Sequence, residues 1–567
     1  MPAVTGDRLL IRATRHGGAW VPGLAVAALA TAAADLLLPA AMGAALDAAL
    51  APDGRPGPWI TAAVALIVLI AAAEIATDLA AGMSTARATA RLRHTLAGHV
   101  FRLDPRAARR YPAGDLVSRL AGQVPGAAGA GAALALAGTA LVAPLGSMVA
   151  LTLIDPWLGA TFVVGLLLLT VLLRRYVVDT ADAATRYQHT QSDIAARLTE
   201  ALAGARTIAA AGTADQEIQR VLRPLPDLGR HGVRTWDAVG LAAAQGVLVA
   251  PLIQLTVIGV AGIALTGGRL TPGAMLAALQ YAALGAGLGS VVGVLGRIAR
   301  SRAGCRRTAE ILGADQQRYG ESDLPAGPGR VELRAVTVHH PDGPERPPVL
   351  DHVDLAIPGG ATVAVVGTSG SGKSVLAAVS GRLLDPDAGE VLLDGVPLPR
   401  VRHDPLRRAV GHAFARPVLV GDTVGSAIAL GLGSSAPDRI RAAARAARVD
   451  TVIDRLPDGY DTRLADTPLS GGEIQRLGVA RALGAERVLV LDDATSSLDT
   501  VTEYEVGRAL MDAADRRTRL VVTHRAGTAA RADLVAWLDR GRLRGYAAHR
   551  VLWQDPDYRG LMSGTGR

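Results

Sequence analysis

The sequence predicts two parts in one chain: an α-helical membrane domain of six spans, followed by a soluble α/β domain. Long Ala/Leu/Val/Gly runs with few charges fill the chain up to about residue 300, whereas charges, prolines and short strand-like runs follow it. A glycine-rich turn between an apolar strand and a helix lies in the second part. We therefore expect a membrane domain at 1–300, a linker at 301–330 and the α/β domain at 331–567.

Six apolar runs reach the roughly 20 residues that a helix needs to cross a bilayer. Four of the six tryptophans lie at or just before the ends of these runs, where amphipathic rings favour the headgroup region. We predict spans near Trp20–Leu46, Trp59–Ala80, Ala127–Ile154, Trp157–Leu173, Leu241–Leu265 and Ala274–Gly296.

Arginine placement sets the orientation of these spans. Arginines crowd the segments after the second and the fourth run, whereas the opposite loops show only Arg55 and Arg269. Positive charge marks cytoplasmic loops, so both termini and the α/β domain are predicted to be cytoplasmic. The same charge explains the isoelectric point of about 10.1 without nucleic acid as a partner. Cys305 is the only cysteine, which excludes an intrachain disulfide.

Polar side chains inside the predicted spans mark a candidate substrate cavity. Asp35 lies about 22 Å along the first span from Trp20 at 1.5 Å per residue, and such a carboxylate is costly unless it faces polar partners. A site for a cationic or amine-bearing substrate explains these residues, and interhelical hydrogen bonding is the simpler explanation. The candidate cavity residues are Asp35, Glu74, Gln245, Gln254, Gln280 and Tyr281.

A phosphate-binding loop is the most specific feature of the second part. All but one of the 59 basic residues are arginine, and the single lysine lies in the pattern G-x-x-x-x-G-K-S. An apolar strand precedes this pattern and a helix-like run follows it, which is the context that the loop requires. Backbone N–H groups and Lys373 are expected to hold nucleotide phosphates, with the Ser374 hydroxyl on Mg²⁺. The loop comprises Gly367, Thr368, Ser369, Gly370, Ser371, Gly372, Lys373 and Ser374.

Further motifs extend the predicted nucleotide site. The apolar strand that ends in Asp492 supplies a second Mg²⁺ ligand, and Asp493 follows where a carboxylate aligns water. A segment of small residues before a helix supplies backbone donors for a second anion site. That segment is Leu469, Ser470, Gly471, Gly472 and Glu473, and the set is completed by Ser497, Leu498, Asp499 and His524.

This ordered set of motifs resembles the ATP-binding cassette (ABC) family, and six spans before the cassette resemble its exporter-type half-transporters. The resemblance implies a P-loop ATPase domain that binds ATP and Mg²⁺ between two chains, so that Leu469–Glu473 completes the site of the partner. It implies that Asp493 is the catalytic base and that His524 senses the γ-phosphate. It also implies that turns at Tyr111–Arg119 and Glu200–Ile208 couple the cassettes to the spans.

Several residues depart from the family pattern. Asp493 stands in place of the usual glutamate, which withdraws the carboxylate by about 1.5 Å. Ala415 replaces the glutamine that contacts Mg²⁺ and water, and His340 replaces the tyrosine that stacks on adenine. Asp466 lies in a shortened segment where a contact between the two sites usually lies. We therefore expect a degenerate ATP site in this chain, although Leu469–Glu473 is intact.

An asymmetric heterodimer explains this pattern, because its second site would carry most of the turnover. A slow homodimer is the alternative, since aspartate can also orient water. We predict an exporter subunit for a small amphipathic molecule, a peptide or lipopeptide, in a bacterial cell membrane. The stretch Phe414–Thr423 resembles the same stretch in exporters found beside modified-peptide biosynthesis genes, and this resemblance favours a peptide or lipopeptide as the substrate. An ATP-holding regulatory subunit and a siderophore-type importer are the alternatives.

Overall fold

The chain forms two units, the first from Met1–Phe101 with Ala113–Ala314 and the second from Arg102–Pro112 with Asp315–Arg567. They are seen in a computed structural model that describes residues 6–285, 289–341, 343, 345–433, 436–510 and 516–564. Inside the helices, side chains are described except at 169–170, 172–185, 188, 238–239, 241–250, 289–292, 295 and 500.

The described part of the first unit is helical. Its long apolar runs satisfy their backbone hydrogen bonds internally, as a bilayer requires. A π-helical turn at Arg119–Gln123 lies between the fifth and sixth helices. The helices, with the short α4 belonging to the second unit, are α1 (Gly6–His16), α2 (Trp20–Leu50), α3 (Gly57–Val100), α4 (Pro105–Ala108), α5 (Ala113–Ser118), α6 (Val124–Ala128), α7 (Ala130–Ala140), α8 (Val142–Ile154), α9 (Pro156–Ala203), α10 (Ala205–Ala211), α11 (Ala214–Leu222), α12 (Leu225–Thr266), α13 (Pro272–Gly285) and α14 (Gly289–Leu312).

Three helical stretches among the described residues are long and apolar enough to cross a membrane: Trp20–Leu50, Gly57–Val100 and Ala113–Ile154. Two shorter apolar stretches, Pro156–Leu168 and Pro251–Thr266, coincide with the fourth and fifth predicted spans. The helices α3, α9 and α12 run well beyond their apolar parts, as the polar segments after the second and fourth runs predict. The arrangement is consistent with six spans.

A close crossing fixes α2 against α13. A Cβ atom at Gly273 would lie 2.0 Å from the Gly43 carbonyl oxygen, so only glycine fits there. The Asp47 carboxylate accepts hydrogen bonds from the Gly273 N–H at 2.7 Å and the Thr271 hydroxyl at 2.6 Å. Asp47 thereby satisfies backbone and side-chain donors at the start of α13.

The structure places the boundary between the units at Asp315, inside the predicted linker at 301–330. Helix α14 continues to Leu312, and its buried residues Cys305, Thr308 and Ile311 pack inside the first unit. Because α14 buries one face against neighbouring helices, it continues beyond the end of its apolar part. The chain enters the second unit at Asp315.

The second unit contains a six-stranded sheet and a four-stranded sheet. The first has the order β10-β9-β3-β8-β7-β6 and the second β2-β1-β4-β5. The strands are β1 (Val331–Val338), β2 (Leu350–Ile357), β3 (Thr362–Gly367), β4 (Ala388–Leu393), β5 (Val396–Pro397), β6 (Val410–Phe414), β7 (Val488–Asp492), β8 (Thr518–Val522), β9 (Leu534–Asp539) and β10 (Arg542–Ala547). The helices are α15 (Lys373–Ser380), α16 (His403–Ala409), α17 (Val424–Leu432), α18 (Pro437–Ala446), α19 (Asp450–Ile453), α20 (Gly471–Ala482), α21 (Thr500–Leu510), α22 (Ala526–Arg531), α23 (His549–Leu552) and α24 (Pro556–Ser563).

The strands β9, β3, β8, β7 and β6 run parallel, and β10 pairs antiparallel with β9. Every residue of β3 and β8 is buried, as expected of parallel strands covered on both faces. Because neighbouring parallel strands end at the same edge of a sheet, the loops after β3, β8, β7 and β6 meet there. This edge positions the candidate site.

The segment Arg102–Pro112 joins the second unit although it lies far from it in sequence. Leu103 forms a β-bridge with Gln316, and the Asp104 N–H donates to the Asp315 carbonyl at 2.9 Å. The Arg106 guanidinium donates to the Asp385 carbonyl at 2.9 Å and pairs with the Asp387 carboxylate. The sequence places a coupling turn at Tyr111–Arg119, whereas the segment that contacts the second unit begins nine residues earlier than Tyr111. Here side-chain pairing, not turn propensity, determines which residues make contact.

Candidate functional site: a nucleotide-binding edge of the parallel sheet

The phosphate loop leaves the end of β3 in a conformation that depends on glycine. Gly372 has φ +98°, and a Cβ there would lie 2.6 Å from the Val349 carbonyl oxygen. Gly370, at φ +79°, also lies in the left-handed region. The turn directs backbone N–H groups to one side, at the start of α15. The structure thus builds the strand, turn and helix that the sequence predicts for Gly367–Ser374.

Lys373 lies inside this loop with its ammonium group held by backbone carbonyls. Its Nζ donates to the Gly367 oxygen at 2.9 Å and to the Thr368 oxygen at 2.8 Å, and the residue is only 6% exposed. Burial lowers the pKa of the Lys373 ammonium, against the opposing effect of the Asp493 and Asp492 carboxylates. The group is a compact positive charge at the centre of the loop, which suits an outer phosphate.

Ser374 and Asp492 place two oxygen ligands side by side. The Ser374 hydroxyl donates to the Asp492 carboxylate at 2.9 Å. Burial raises the pKa of the Asp492 carboxyl, and the nearby Asp493 adds to this. A hydroxyl and a carboxylate oxygen that already converge fit Mg²⁺, which prefers few protein oxygens plus phosphate oxygens. When bound, Mg²⁺ supplies charge neutralisation at the phosphates.

Ser371 gives a second sign of an anionic ligand at the loop. Its hydroxyl is buried, and among the described residues it has no hydrogen-bond partner. A buried hydroxyl without a partner costs free energy unless a ligand satisfies it. Thr368, Ser369 and Gly370 are exposed beside it, so the loop is open to a phosphate from one side.

Asp493 and His524 face each other across the ends of β7 and β8. The His524 Nε2 lies 3.6 Å from the nearer Asp493 carboxylate oxygen, and the His524 side chain is half exposed. Asp493 has φ +46°, a left-handed conformation that aspartate tolerates better than most residues. The predicted base and the predicted phosphate sensor therefore lie together at this edge of the sheet.

Ala415 follows β6 at the same edge and has no polar side chain to offer. Its main-chain oxygen accepts a hydrogen bond at 2.6 Å from Gln475 of helix α20. His340, a further position that departs from the family pattern, follows the end of β1 and is half-buried. Its neighbour His339 donates its main-chain N–H to Asp387 at 2.7 Å, the same carboxylate that pairs with Arg106.

The segment Leu469–Glu473 starts helix α20 with a capping box. The Ser470 hydroxyl accepts from the Glu473 N–H at 3.3 Å, and the Glu473 carboxylate accepts from the Ser470 N–H at 2.7 Å. Ser470 and Gly471 are exposed, and a Cβ at Gly471 would meet no atom within 4 Å. This helix N-terminus is rigid and presents backbone donors outwards, as an anion site on another chain requires.

The residues Ser497, Leu498 and Asp499 lie in the bend that joins β7 to α21. The Asp499 carboxylate caps α21 by accepting from the Val501 N–H at 3.1 Å and the Thr502 N–H at 3.0 Å. Leu498 is buried, whereas Ser497 is exposed. The Asp499 side chain therefore holds the end of the bend between β7 and α21, with Ser497 at the surface of the bend.

Sequence reasoning missed Gln475, which ties three of these segments together. Its Nε2 donates to the Ala415 oxygen at 2.6 Å and to the Ser496 hydroxyl at 3.1 Å, while its Oε1 accepts from the Ser497 N–H at 2.9 Å. The residue is 2% exposed. A polar side chain on the buried face of a helix is the signal that marks such a residue in sequence. It links this chain's own site to the surface that would complete another.

Substitution of Gln475 by glutamate is expected to reduce ATP turnover about tenfold, because the donors to Ala415 and Ser496 are lost while the acceptor for Ser497 remains. Turnover relative to the parent should recover as the pH falls, since burial raises a carboxyl pKa and the protonated group regains a donor. Turnover measured across the pH range tests this, with Gln554→Glu at an exposed site as the control. A loss of equal size at every pH would contradict it.

The predicted membrane cavity residues occupy different environments. Tyr281 is 5% exposed in a hydrophobic cluster, and its hydroxyl donates at 2.7 Å to the Leu36 carbonyl, near Pro39 inside helix α2. The Gln280 amide contacts the Met42 sulfur at 3.4 Å. These two side chains therefore serve the packing of α13 on α2.

Asp35 is half-buried on α2 and Glu74 is exposed on α3, two helices that pack against each other. Gln254 is half-buried on α12. Gln245 lies outside the residues whose side chains the structure describes. Tyr281 packs in a hydrophobic cluster and not in a polar cavity.

Comparison with protein families divides the chain as the sequence does. The family model described as the ABC transporter transmembrane region matches residues 23–286. A second family model, described as ABC transporter, matches residues 350–496. The solved structure of a bacterial Atm1-family ABC exporter with ATP bound is similar in fold, with a TM-score of 0.79 at 24% identity over 97% of this chain and 98% of that one.

Curated relatives cover most of the chain. The ABC transporter ATP-binding protein RamA of Streptomyces coelicolor is 47% identical over 533 residues, which are 94% of this chain and 83% of that protein. The ATP-dependent lipid A-core flippase of Chromobacterium violaceum is 32% identical over 509 residues, 87% of this chain and 85% of that protein.

Proposed function

The chain belongs to the ABC transporter family, and on that premise we propose that it is one half of a dimeric exporter whose own ATP site is degenerate. ATP-driven export is the activity that its family and relatives support. The transported molecule in this proposal is small and amphipathic, a peptide or lipopeptide. A relative named as a lipid A-core flippase supports an amphipathic substrate. The partner in this proposal is a different half-transporter.

The observation that carries the proposal is the contrast between the two surfaces that a cassette contributes. The Leu469–Glu473 segment is held by a capping box and exposes Ser470 and Gly471, as a competent surface should. At the chain's own loop, Ala415 offers no side chain to Mg²⁺ or water, and Asp493 carries the shorter carboxylate. A general base contributes about 10² to 10⁴ in rate, so a displaced base leaves a slow site. The partner's site, completed by Leu469–Glu473, then performs most of the hydrolysis.

Steady-state ATP hydrolysis by the purified chain in lipid tests the pairing. We expect turnover at least about tenfold lower for the chain alone than for the chain with its partner half-transporter, because each alone lacks one competent surface. Lys373→Ala is the control that removes the chain's own site. Rapid turnover by the chain alone that disappears in this control would establish a competent homodimer and overturn the proposal.

A further inference from the structure

A groove of about 760 Å³ lies in the first unit between helices α3, α7 and α14. This volume is within the range of ligand sites, about 300–1,000 Å³. Small side chains form its floor, so the helix backbones themselves line it. Its walls comprise Ala81, Gly82, Thr85, Ala86, Thr89, Ala90 and Arg93 of α3, Ala132, Ala133 and Leu136 of α7 with the preceding Gly129, and Arg297 of α14.

The groove begins where the apolar part of α3 ends. The predicted span closes at Ala80, and the wall from Ala81 to Arg93 extends about 18 Å at 1.5 Å per residue. In the orientation that the arginine placement predicts, α3 runs from the outer to the cytoplasmic side, and Arg93 lies at its cytoplasmic end. A molecule in the groove would therefore lie at the inner boundary of the membrane, with one apolar end and one polar end.

The two arginines differ in their contacts. Arg93 donates through Nε and Nη2 to the Leu120 and Ala121 carbonyls, each at 3.1 Å, and these bonds hold its side chain in place. Arg297 is exposed and makes no hydrogen bond or ion pair with any residue that the structure describes. None of the lining residues carries a negative charge. The groove thus offers an unpaired guanidinium on one wall and an anchored one on another.

We propose that this groove binds an anionic amphiphile, with its carboxylate or phosphate head at Arg297 and Arg93 and its apolar part along the alanines. Guanidinium groups bind such heads through charge-assisted hydrogen bonds. The threonine hydroxyls of Thr85 and Thr89 lie on the same wall and add polar contact beside the head. The inference names the substrate class of the proposed exporter and rests on that function. It differs from the cationic substrate that Asp35 and Glu74 suggest, since neither carboxylate lines the groove.

Binding of dansyl-labelled undecanoate to the full-length, nucleotide-free chain in lipid nanodiscs tests the proposal. The matched probes are the primary amide and the amine of the same labelled chain. We expect the carboxylate to bind about tenfold more tightly than the amide, because a charge-assisted contact adds roughly a factor of ten. Arg297→Gln should remove most of this preference and Arg297→Lys should keep part of it.

Arg87→Gln is the matched control, because Arg87 is exposed on α3 and does not line the groove. The Arg87→Gln variant should prefer the carboxylate probe over the amide probe as strongly as the parent chain does. Equal affinity for carboxylate and amide, tighter binding of the amine, or an unchanged preference in Arg297→Gln would each overturn the proposal. Arg297 has no described partner to lose, so the variants are expected to fold, and thermal unfolding checks this.

The assay separates this inference from the function on which it rests. Binding is measured without ATP and without a second half-transporter, so a failure of the heterodimer proposal leaves the head-group preference unchanged. Conversely, absence of the preference leaves partner-dependent ATP turnover intact.

Discussion

Replacement of Gly471 by aspartate is expected to reduce ATP hydrolysis by the paired transporter about a hundredfold. The backbone donors at the start of α20 are proposed to hold the γ-phosphate bound by the partner, and a carboxylate there repels that anion at close range. The fold should tolerate the change, because a Cβ at Gly471 meets no atom of this chain within 4 Å and the backbone there is not left-handed. Turnover and thermal unfolding of the variant, measured together, test both statements.

Gly471→Asn separates charge from size at this position, since asparagine has the shape of aspartate without its charge. The asparagine variant should lose clearly less turnover than the aspartate variant. ATP binding at the chain's own loop should be unaffected by either change, as the loop is built from Gly367–Ser374. Equal losses in both variants would mean that bulk, and not charge, disturbs the surface.

Restoring the family pattern at the chain's own site is expected to raise its ATP turnover. The variant Asp493→Glu with Ala415→Gln returns the longer carboxylate and the missing amide, and we expect a gain of about tenfold or more, within the range of a general base. The extra methylene advances the carboxylate by about 1.5 Å. Turnover by the chain alone, compared with the parent and with each single variant, measures the gain.

A small loss of thermal stability should accompany this gain. Residue 493 has φ +46°, and glutamate adopts the left-handed region less readily than aspartate. Asp493→Asn with Ala415→Gln is the matched control, because it keeps the size of the side chain and removes the base. If the control gained as much as the glutamate variant, the carboxylate at 493 would not be the limiting group.

The parts of the nucleotide site that could be predicted from the sequence are local motifs. The phosphate loop, the strand that ends in Asp492 and the cap at Ser470 are each specified by adjacent residues whose backbone geometry is confined by glycine or by a nearby side chain. The fold class, a helical membrane domain followed by an α/β ABC ATPase domain, is confirmed. Heterodimer formation and the degenerate site remain predictions.

Contacts between distant segments could not be predicted in this way. Gln475 lies sixty residues from Ala415, and Arg106 lies 281 residues from Asp387. No spacing in the sequence marks either pair, because the packing of whole helices and strands determines which side chains meet. The same holds for Tyr281, whose polar group suggested a cavity and which instead bonds the Leu36 carbonyl.

The sequence by itself determined that this chain has membrane spans, a phosphate loop between a strand and a helix, and a helix that starts near Gly471, because each depends on residues that are neighbours in the chain. Only the tertiary structure decided that the segment Arg102–Pro112 belongs with the nucleotide-binding unit, that Gln475 joins the loops after β6 and β7 to α20, and that Arg93 and Arg297 border one groove. The physical reason is that these arrangements arise when separate helices and strands pack, which fixes distances that no local propensity encodes.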